Sequence, residues 1–532
     1  MRLFEKRWMV KVKSFLRKNY FRDIRNLVFV LIFLLMTPVL QSQNDQDTRT
    51  EKKKIELIYA DEDQIVKDPI TGNDIHRFKG DVHLRHNDIT MWCDSAHFKP
   101  DRNEVQAFQR IHIEQGDTLN LFGDYLFYDG RNETAFVKGN VELIDKETHL
   151  YTDSIHYDVR NRIARYTRRG RITNAENTLT SIIGVYYVAD NLFHFKDSVK
   201  IVNPDYVMTA DTMDYNTQSE TSYFAGPTEL RGDSIYLYCE RGWYDTRNDI
   251  TSIWKKAMID NMKQIVHGDS IYFDNNTGYG ESFRNVTIED TTNSMIVKGD
   301  YAWYIKQPEQ FLVTKKAMFI QFSKSDSLFL HSDTIRAITI SDTAKEYRVV
   351  KSYHNCRIFS QNVQAKCDSL SYSFRDSVIR LYKSPVIWSD ENQLTSDSMA
   401  IITKNREADR LELYNSAFVT SQVDTFRFNQ IKGRDLTGYF KNNELYKIDI
   451  KGNGEAVYYL LDNDLLAGRN QTKCANISIL IEKNKITDIY EYGNPEGIID
   501  PPVIDRPDTL RLPGFIWLNN FRPKKKSDIF IK

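Results

Sequence analysis

The sequence predicts an all-β fold, an elongated antiparallel array of about eleven units of roughly 30 residues each, and three observations carry that prediction. The first is a phrase that recurs around an acidic residue. It reads "CDSAHF" at Asp94, "GDYLFY" at Asp124, "TDSIHY" at Asp153, "ADTMDY" at Asp211, "CERGWY" at Glu240, "GDSIYF" at Asp269 and "GDYAWY" at Asp300. Looser copies follow at Asp333, Asp368 and Asp397, and Gly184 of "IGVYYV" fills the remaining slot. Successive slots lie 27 to 35 residues apart. The second observation is that residues two and four past the slot are apolar or aromatic, the period of a strand with one buried face. The third is the turn chemistry that comes next, as in "YDGRNET", "YDVRNR", "YNTQSE", "YDTRND" and "FDNNTG". A second alternating strand such as "GNVELI" or "RNVTIE" then leads through a polar turn to the next slot. No unit of this size buries its own face, so units must stack. A parallel β-helix is the rival architecture, but its coils carry no hairpin-like turn on this schedule.

Taken along the chain, residues 1–42 read as a signal peptide. Arg22 and Arg25 precede the apolar run Leu27–Leu40, whose fourteen residues suit an h-region and fall short of the ~20 that span a bilayer. Residues 43–54 read as a linker, 55–280 and 281–498 as the N- and C-terminal parts of the repeat array, and 499–532 as a Pro-rich tail. The tail either docks on something or folds back on its own last strands. The period-two face assigns Phe98, Leu126, Tyr128, Ile155, Tyr157, Met213, Tyr215, Ile271, Phe273, Tyr304, Leu370 and Tyr372 to the interior.

Composition and motifs exclude several function classes. Net charge is −1 with the basic leader included, and the chain beyond residue 42 holds 63 basic and 71 acidic residues, which gives no electrostatic reason to expect a nucleic acid partner. The stretch Gly268-Asp269-Ser270-Ile271 has the letters of a serine esterase nucleophile. Ser270 nevertheless fills a slot held elsewhere by Tyr125, Thr212, Arg241 and Tyr301, and a nucleophile is not written in interchangeable residues. HExxH, GxSxG, GxxxxGK[ST] and the dinucleotide fingerprint do not occur. No cofactor and no metal site is expected: His83 and His86 do not converge on one strand face, and the acidic column reads as residues that end turns and point to water. Five cysteines, Cys93, Cys239, Cys356, Cys367 and Cys474, are too few for a disulfide scaffold. A two-residue turn at Gln361-Asn362 places Cys356 opposite Cys367, which makes that pair the one candidate bridge.

The grammar of "FKGDVHLRHNDITMWCDSAHF" (Phe78–Phe98) and "FVKGNVELIDKETHLYTDSIHYD" (Phe136–Asp158) resembles the OstA-like family of lipopolysaccharide-transport proteins. The closing stretch Tyr458–Gly497 is similar to the end of the long members of the Bacteroidetes type, and the resemblance runs over roughly residues 55–500. It implies a β-jellyroll trough with no catalytic activity, whose apolar interior shields lipid acyl chains in the periplasm. It also implies lipopolysaccharide as ligand, with an outer-membrane translocon and inner-membrane transport components as partners. The chain departs from the small bridging members in its length, and it lacks the run of transmembrane strands of the translocon itself. The alternative is a structural or adhesive β-array with a side-chain-filled interior and no lipid. A carbohydrate-active β-helix ranks last, because the interior face carries Tyr, Ile, Leu and Phe where paired carboxylates would be needed.

Overall fold

The computed structural model describes residues 54–501 and 510–531, apart from 174–176, 293, 323–326, 342–345, 405–406, 442–443, 463–464 and 483–484. Residues 1–42, read above as a signal peptide, and all but the last residue of the expected linker lie outside the described residues. Residues 54–532 form one compact unit. Among the described residues 36 strands join a single sheet in which every pairing is antiparallel, so the array is an elongated antiparallel β-jellyroll. The array runs through 280/281 without interruption, because the strand Tyr279–Asp290 spans that position.

The strands are longer than the sequence grammar implies, and the reason lies at the acidic slot. Leu119–Asp129 carries Asp124 at its middle, and the burial rhythm changes parity there. Leu119, Leu121 and Gly123 point inward before the acid, and Leu126 and Tyr128 point inward after it. The neighbouring strand Thr134–Asp145 breaks register at the same level, between Lys138 and Val141. Its Gly139 and Asn140 have φ of +82° and +43°, a bulge that bends the strand into two arms. The same bend recurs at Gln109/Arg110, Lys255/Lys256, Arg284/Asn285, Lys315/Lys316 and His354/Asn355.

The slot acid therefore does not end a turn, as the sequence suggested, although Asp124, Asp153, Asp211 and Asp269 do face solvent. It sits at mid-strand and ties the bend of the following strand, sixteen residues on. Arg110 Nε donates to Asp94 Oδ1 at 2.5 Å, Asn140 Nδ2 to Asp124 Oδ2 at 2.7 Å and Asn285 Nδ2 to Asp269 Oδ1 at 3.0 Å. Lys256 Nζ lies 2.5 Å from Glu240 Oε1, and in a longer unit Asn355 Nδ2, 22 residues on, lies 2.9 Å from Asp333 Oδ2. The Lys256 ammonium holds the Glu240 carboxyl below the usual range.

Glycine enters this motif for two separate reasons. A Cβ on Gly123 would stand 2.3 Å from Val137 Cγ1 and one on Gly299 would stand 2.5 Å from Val313 Cγ1, so the residue before the acid must be small. Gly139 has φ of +82°, and its Cβ would stand 2.6 Å from Asp124 Oδ2. The first reason accounts for the Gly-Asp dipeptide and the second for the Gly-Asp and Gly-Asn dipeptides of the other strand. Ser270 lies on the outer face between Trp254 and Phe283, in keeping with a structural repeat position.

The hairpin ends hold themselves through side chains. Asp129 accepts from the backbone N–H groups of Arg131 and Asn132 at 2.9 and 3.1 Å. Asp245 accepts from Asn248 in the same way, and those hydrogen bonds hold its carboxyl below the usual range.

Gly139→Ala is expected to lower stability by about 1–2 kcal/mol, the cost of a left-handed residue with a Cβ, together with displacement of Asp124. Gln109→Gly, at the equivalent bend of the preceding unit with φ of +64°, is expected to shift stability in the opposite direction by a smaller amount. Thermal or urea melts of the two variants check the signs.

Candidate functional site

Because each strand bends at its middle, one arm supplies one wall of an interior and the other arm supplies the facing wall. The two walls meet at the bend, which forms the floor, and part at the strand ends, which form the mouth. Every position predicted to line the interior is buried or half-buried. Leu126, Tyr128, Ile155, Tyr157 and Met213 are at most 1% exposed, Ile271 is 5% and Leu370 6% exposed. Phe98, Tyr215, Phe273, Tyr304 and Tyr372 are half-buried. The sequence did not separate these two groups, and they differ in what surrounds them.

In the N-terminal section the interior is filled. Opposed inward pairs include the bulky Leu126 with Val137 and Leu121 with Leu143 as well as the small Ala96 with Ala107, and all six residues are at most 1% exposed. The mouth is closed by hydrogen bonds between its two lips. Tyr128 Oη lies 2.6 Å from His86 Nδ1, Tyr157 Oη donates to Gln115 Oε1, and Tyr186 Oη donates to Asp145 Oδ2 at 2.5 Å. Each tyrosine reaches a residue 41 or 42 positions earlier, so the same latch is made three times. Gln115 Nε2 also donates to Asp88 at 2.8 Å. Burial pushes the Tyr157 phenol up to about 12, and burial together with the Asp145 carboxylate raises Tyr186 further, so all three latches stay protonated donors or acceptors at neutral pH. Ile55 covers the beginning of this section at 5% exposure, its N–H bonded to Asn103 Oδ1 at 2.9 Å.

From the strand Tyr206–Asn216 to the strand Ser327–Ser341 the interior changes character. Small residues enter the floor and lower walls: Gly242, Ala257, Gly268, Ser282, Gly299, Ala302 and Ala317. Ile271 faces Ser282 and Phe273 faces Gly280, where the N-terminal section sets Leu126 against Val137 and Tyr128 against Ala135. The upper walls stay apolar but are only half-buried. Tyr215, Tyr244, Phe273 and Tyr304 form a row on one wall, and Leu230, Ile259, Val266 and Ile288 form a row on the other. The latch does not continue here. Phe273 has no hydroxyl, and Tyr244 turns its hydroxyl to Asp249 of its own hairpin at 3.0 Å. The result is a groove-shaped interior with a buried floor and half-buried apolar upper walls across nine consecutive strands.

Beyond it the floor becomes bulky again, with Leu370, Leu381, Met399, Leu413 and Ile450 at most 6% exposed. The tail returns over the outer face of this section, reaching well past the last strands. Gln430 donates to Leu510 O and accepts from Leu512 N–H, both at 2.9 Å. Gln393 does the same with Ile516 O and Leu518 N–H at 2.7 Å, and Arg522 donates to Gln364 Oε1 at 2.7 Å. Leu512 and Ile529 are buried beneath this strap, and Phe530 packs on His331.

Cys356 and Cys367 stand directly opposite each other, as the turn at Gln361-Asn362 requires. Both are buried free thiols in this structure. The Cys367 side chain and burial together raise the Cys356 thiol, and burial holds Cys93 and Cys239 up to about 12, so none of these is an activated nucleophile. Among the described residues no group of three His, Cys, Asp or Glu side chains is arranged to hold a metal ion.

Two outcomes follow from this geometry. Tyr186→Phe leaves the buried Asp145 carboxylate without its donor and is expected to cost ~1–3 kcal/mol, whereas Tyr244→Phe, at the open mouth, is expected to cost less than ~1 kcal/mol; paired melts check the contrast. In protein secreted under oxidising conditions, thiol counting after denaturation without reductant is expected to find three free thiols if Cys356 and Cys367 are joined and five if they are not.

Residues 52–211 match the family model described as OstA-like protein. That stretch holds the first five acidic slots, Asp94 to Asp211, and includes the sealed section with its three latches. No curated protein matches the chain. Bends, paired acids and strand grammar continue unbroken past the matched stretch. Residues 52–211, the first part of one continuous β-jellyroll array, are thus similar to OstA-like proteins.

Proposed function

We propose that this protein is a non-catalytic carrier that shields the acyl chains of lipopolysaccharide during its transport to the outer membrane. The observation that carries the reading is the middle groove. Two facing rows of half-buried apolar side chains stand over a floor rich in small residues, in a chain whose N-terminal section is packed and latched shut. An apolar cleft of this length is costly in water unless a hydrocarbon fills it, and burial of acyl chain contributes ~0.8 kcal/mol per CH₂. The OstA-like region supports the ligand class, and the leader of residues 1–42 supports export to the periplasm, where the array would act beside an outer-membrane translocon and inner-membrane transport components. The repeated architecture supports a binding role over an enzymatic one, since the serine and acid positions that resemble catalytic groups are repeat positions with structural partners. A purely structural array would have no use for the change from bulky to small floor residues.

Val266 and Ile288 face each other across one strand pair in the groove wall. The double variant Val266→Glu/Ile288→Glu places two carboxylates where acyl chains would lie, and half-exposure lets them ionise without unfolding the array. Binding of lipid A, read by displacement of a fluorescent fatty acid, is expected to weaken at least tenfold, equivalent to about 1.4 kcal/mol. Circular dichroism is expected to stay unchanged. Lipid A affinity equal to the parent's in a folded double variant would overturn the reading.

A further inference from the structure

We infer that the N-terminal section, from Ile55 to about Tyr186, is a sealed end-piece, so that lipid held in the middle groove does not pass through that end of the array; this rests on the carrier reading above. A jellyroll built from bent strands has no backbone obstacle along its interior. Whether it is a conduit from end to end is decided only by side chains. In the first units those side chains close the path in three ways.

Opposed bulky pairs such as Leu126 with Val137 fill the interior to at most 1% exposure. Ile55 sits on the outermost units with its N–H held by Asn103. Tyrosines 128, 157 and 186 each join the two lips of the mouth through a buried hydrogen bond. Opening such a section would strip hydrogen bonds from buried His86, Gln115 and Asp145 and expose a packed core, so the seal is an intrinsic part of the fold and no loose gate.

The seal stops where its chemistry stops. The repeat position that holds Tyr128, Tyr157 and Tyr186 continues as Tyr215, Tyr244 and Phe273. Counting back 42 residues from Tyr244 reaches Val202, which offers no polar side-chain atom and is 42% exposed. Just past the strand end, Gly130 and Val159 of the sealed units give way to Thr217 and Thr246, whose hydroxyls bond backbone carbonyls within their own lip. Among the described residues the lip-to-lip latches thus end at Tyr186, and past it Tyr215 and Tyr244, both only half-buried, stand beside Tyr206 of the opposite lip. Acyl chains enter and leave the groove sideways through the mouth, with the bulky polar headgroup remaining outside. Any protein that pairs with the exposed N-terminal edge strand Glu62–Lys67 would hold the array in place and would not receive lipid through it.

One column of aromatic side chains makes the test direct, because p-benzoylphenylalanine replaces Tyr or Phe with little change of shape. The full chain carrying it at position 128, 157, 244 or 273 is loaded with lipid A and irradiated. Adducts are expected at 244 and 273, with yields at 128 and 157 at least tenfold lower. Yields at 128 or 157 within twofold of those at 244 would overturn the sealed end. Absence of adducts at all four positions, in protein that also fails to bind lipid A in solution, would overturn the carrier reading and this inference with it. Since a probe at 128 or 157 disturbs a latch, hydrogen exchange of the unsubstituted protein supplies a second measurement. Lipid A is expected to slow exchange in the strands between Tyr206 and Ser341 and to leave those between Asp74 and Asp158 unchanged; equal slowing in both would overturn the proposal.

Discussion

The rest of the molecule depends on the bend at the acidic slot. A straight strand of eleven residues would present one flat face, and stacked copies would give an open sheet with nowhere to bury it. The bulge at pairs such as Gly139 and Asn140, matched by the parity change at the acid of the preceding strand, puts inward residues on both sides of the bend, where they face one another. Holding two successive residues at positive φ costs on the order of 1–2 kcal/mol each where they are not glycine, as at Lys255/Lys256 and Lys315/Lys316. Ladder hydrogen bonds on both arms and the acid of the preceding strand over-determine that conformation. The acid and its Asn, Arg or Lys partner are thus a structural tie repeated along the array, and the exposed ion pairs among them need contribute little energy individually to set the geometry.

A backbone that repeats this closely leaves the interior to be differentiated by side chains alone. Replacing Leu126 and Val137 by Ile271 and Ser282 at the equivalent pair turns a filled level into one with space above the floor. Losing one hydroxyl at Phe273 removes a lip-to-lip latch. Neither change touches the ladder, so a single fold carries a sealed section, an open groove and a second filled section in one continuous sheet. Adding units and editing inward positions is enough to place a groove anywhere along such an array.

The sequence made the fold legible because period-two alternation and turn residues recur at fixed intervals, and Leu126, Ile155, Met213 and Ile271 on that alternation are buried. It concealed the bend. "LNLFGDYLFYD" reads as two short strands separated at the acid, since a parity change and a strand end look alike in a pattern of apolar residues. It also concealed the latches. His86, Gln115 and Asp145 are polar residues at strand ends, where polar residues are expected, and only the recurrence of a tyrosine 41 or 42 residues later marks them. The contrast between sealed and open levels was written in residue size at the inward positions, a signal that alternation of apolar and polar does not register.

The tail adds a second layer where the array needs one. Strands after Ser327 carry apolar and amide residues on their outer face as well as their inner one, including Trp388, Phe418, Gln393 and Gln430, all at most 5% exposed. Such a face would draw other chains if left bare. Residues 510–531 cover it, and the amides of Gln393 and Gln430 each bond a carbonyl and an N–H two residues apart, so the side chains stand in for a neighbouring strand. The strap needs no strand of its own and can cross the ladder. It ends with Ile529 fully buried and Phe530 on His331, in the last strand of the groove. The strap thus fixes the outer side of the wall at which the filled section gives way to the open one, and the apolar rows of the groove face inward from a wall that is braced from behind.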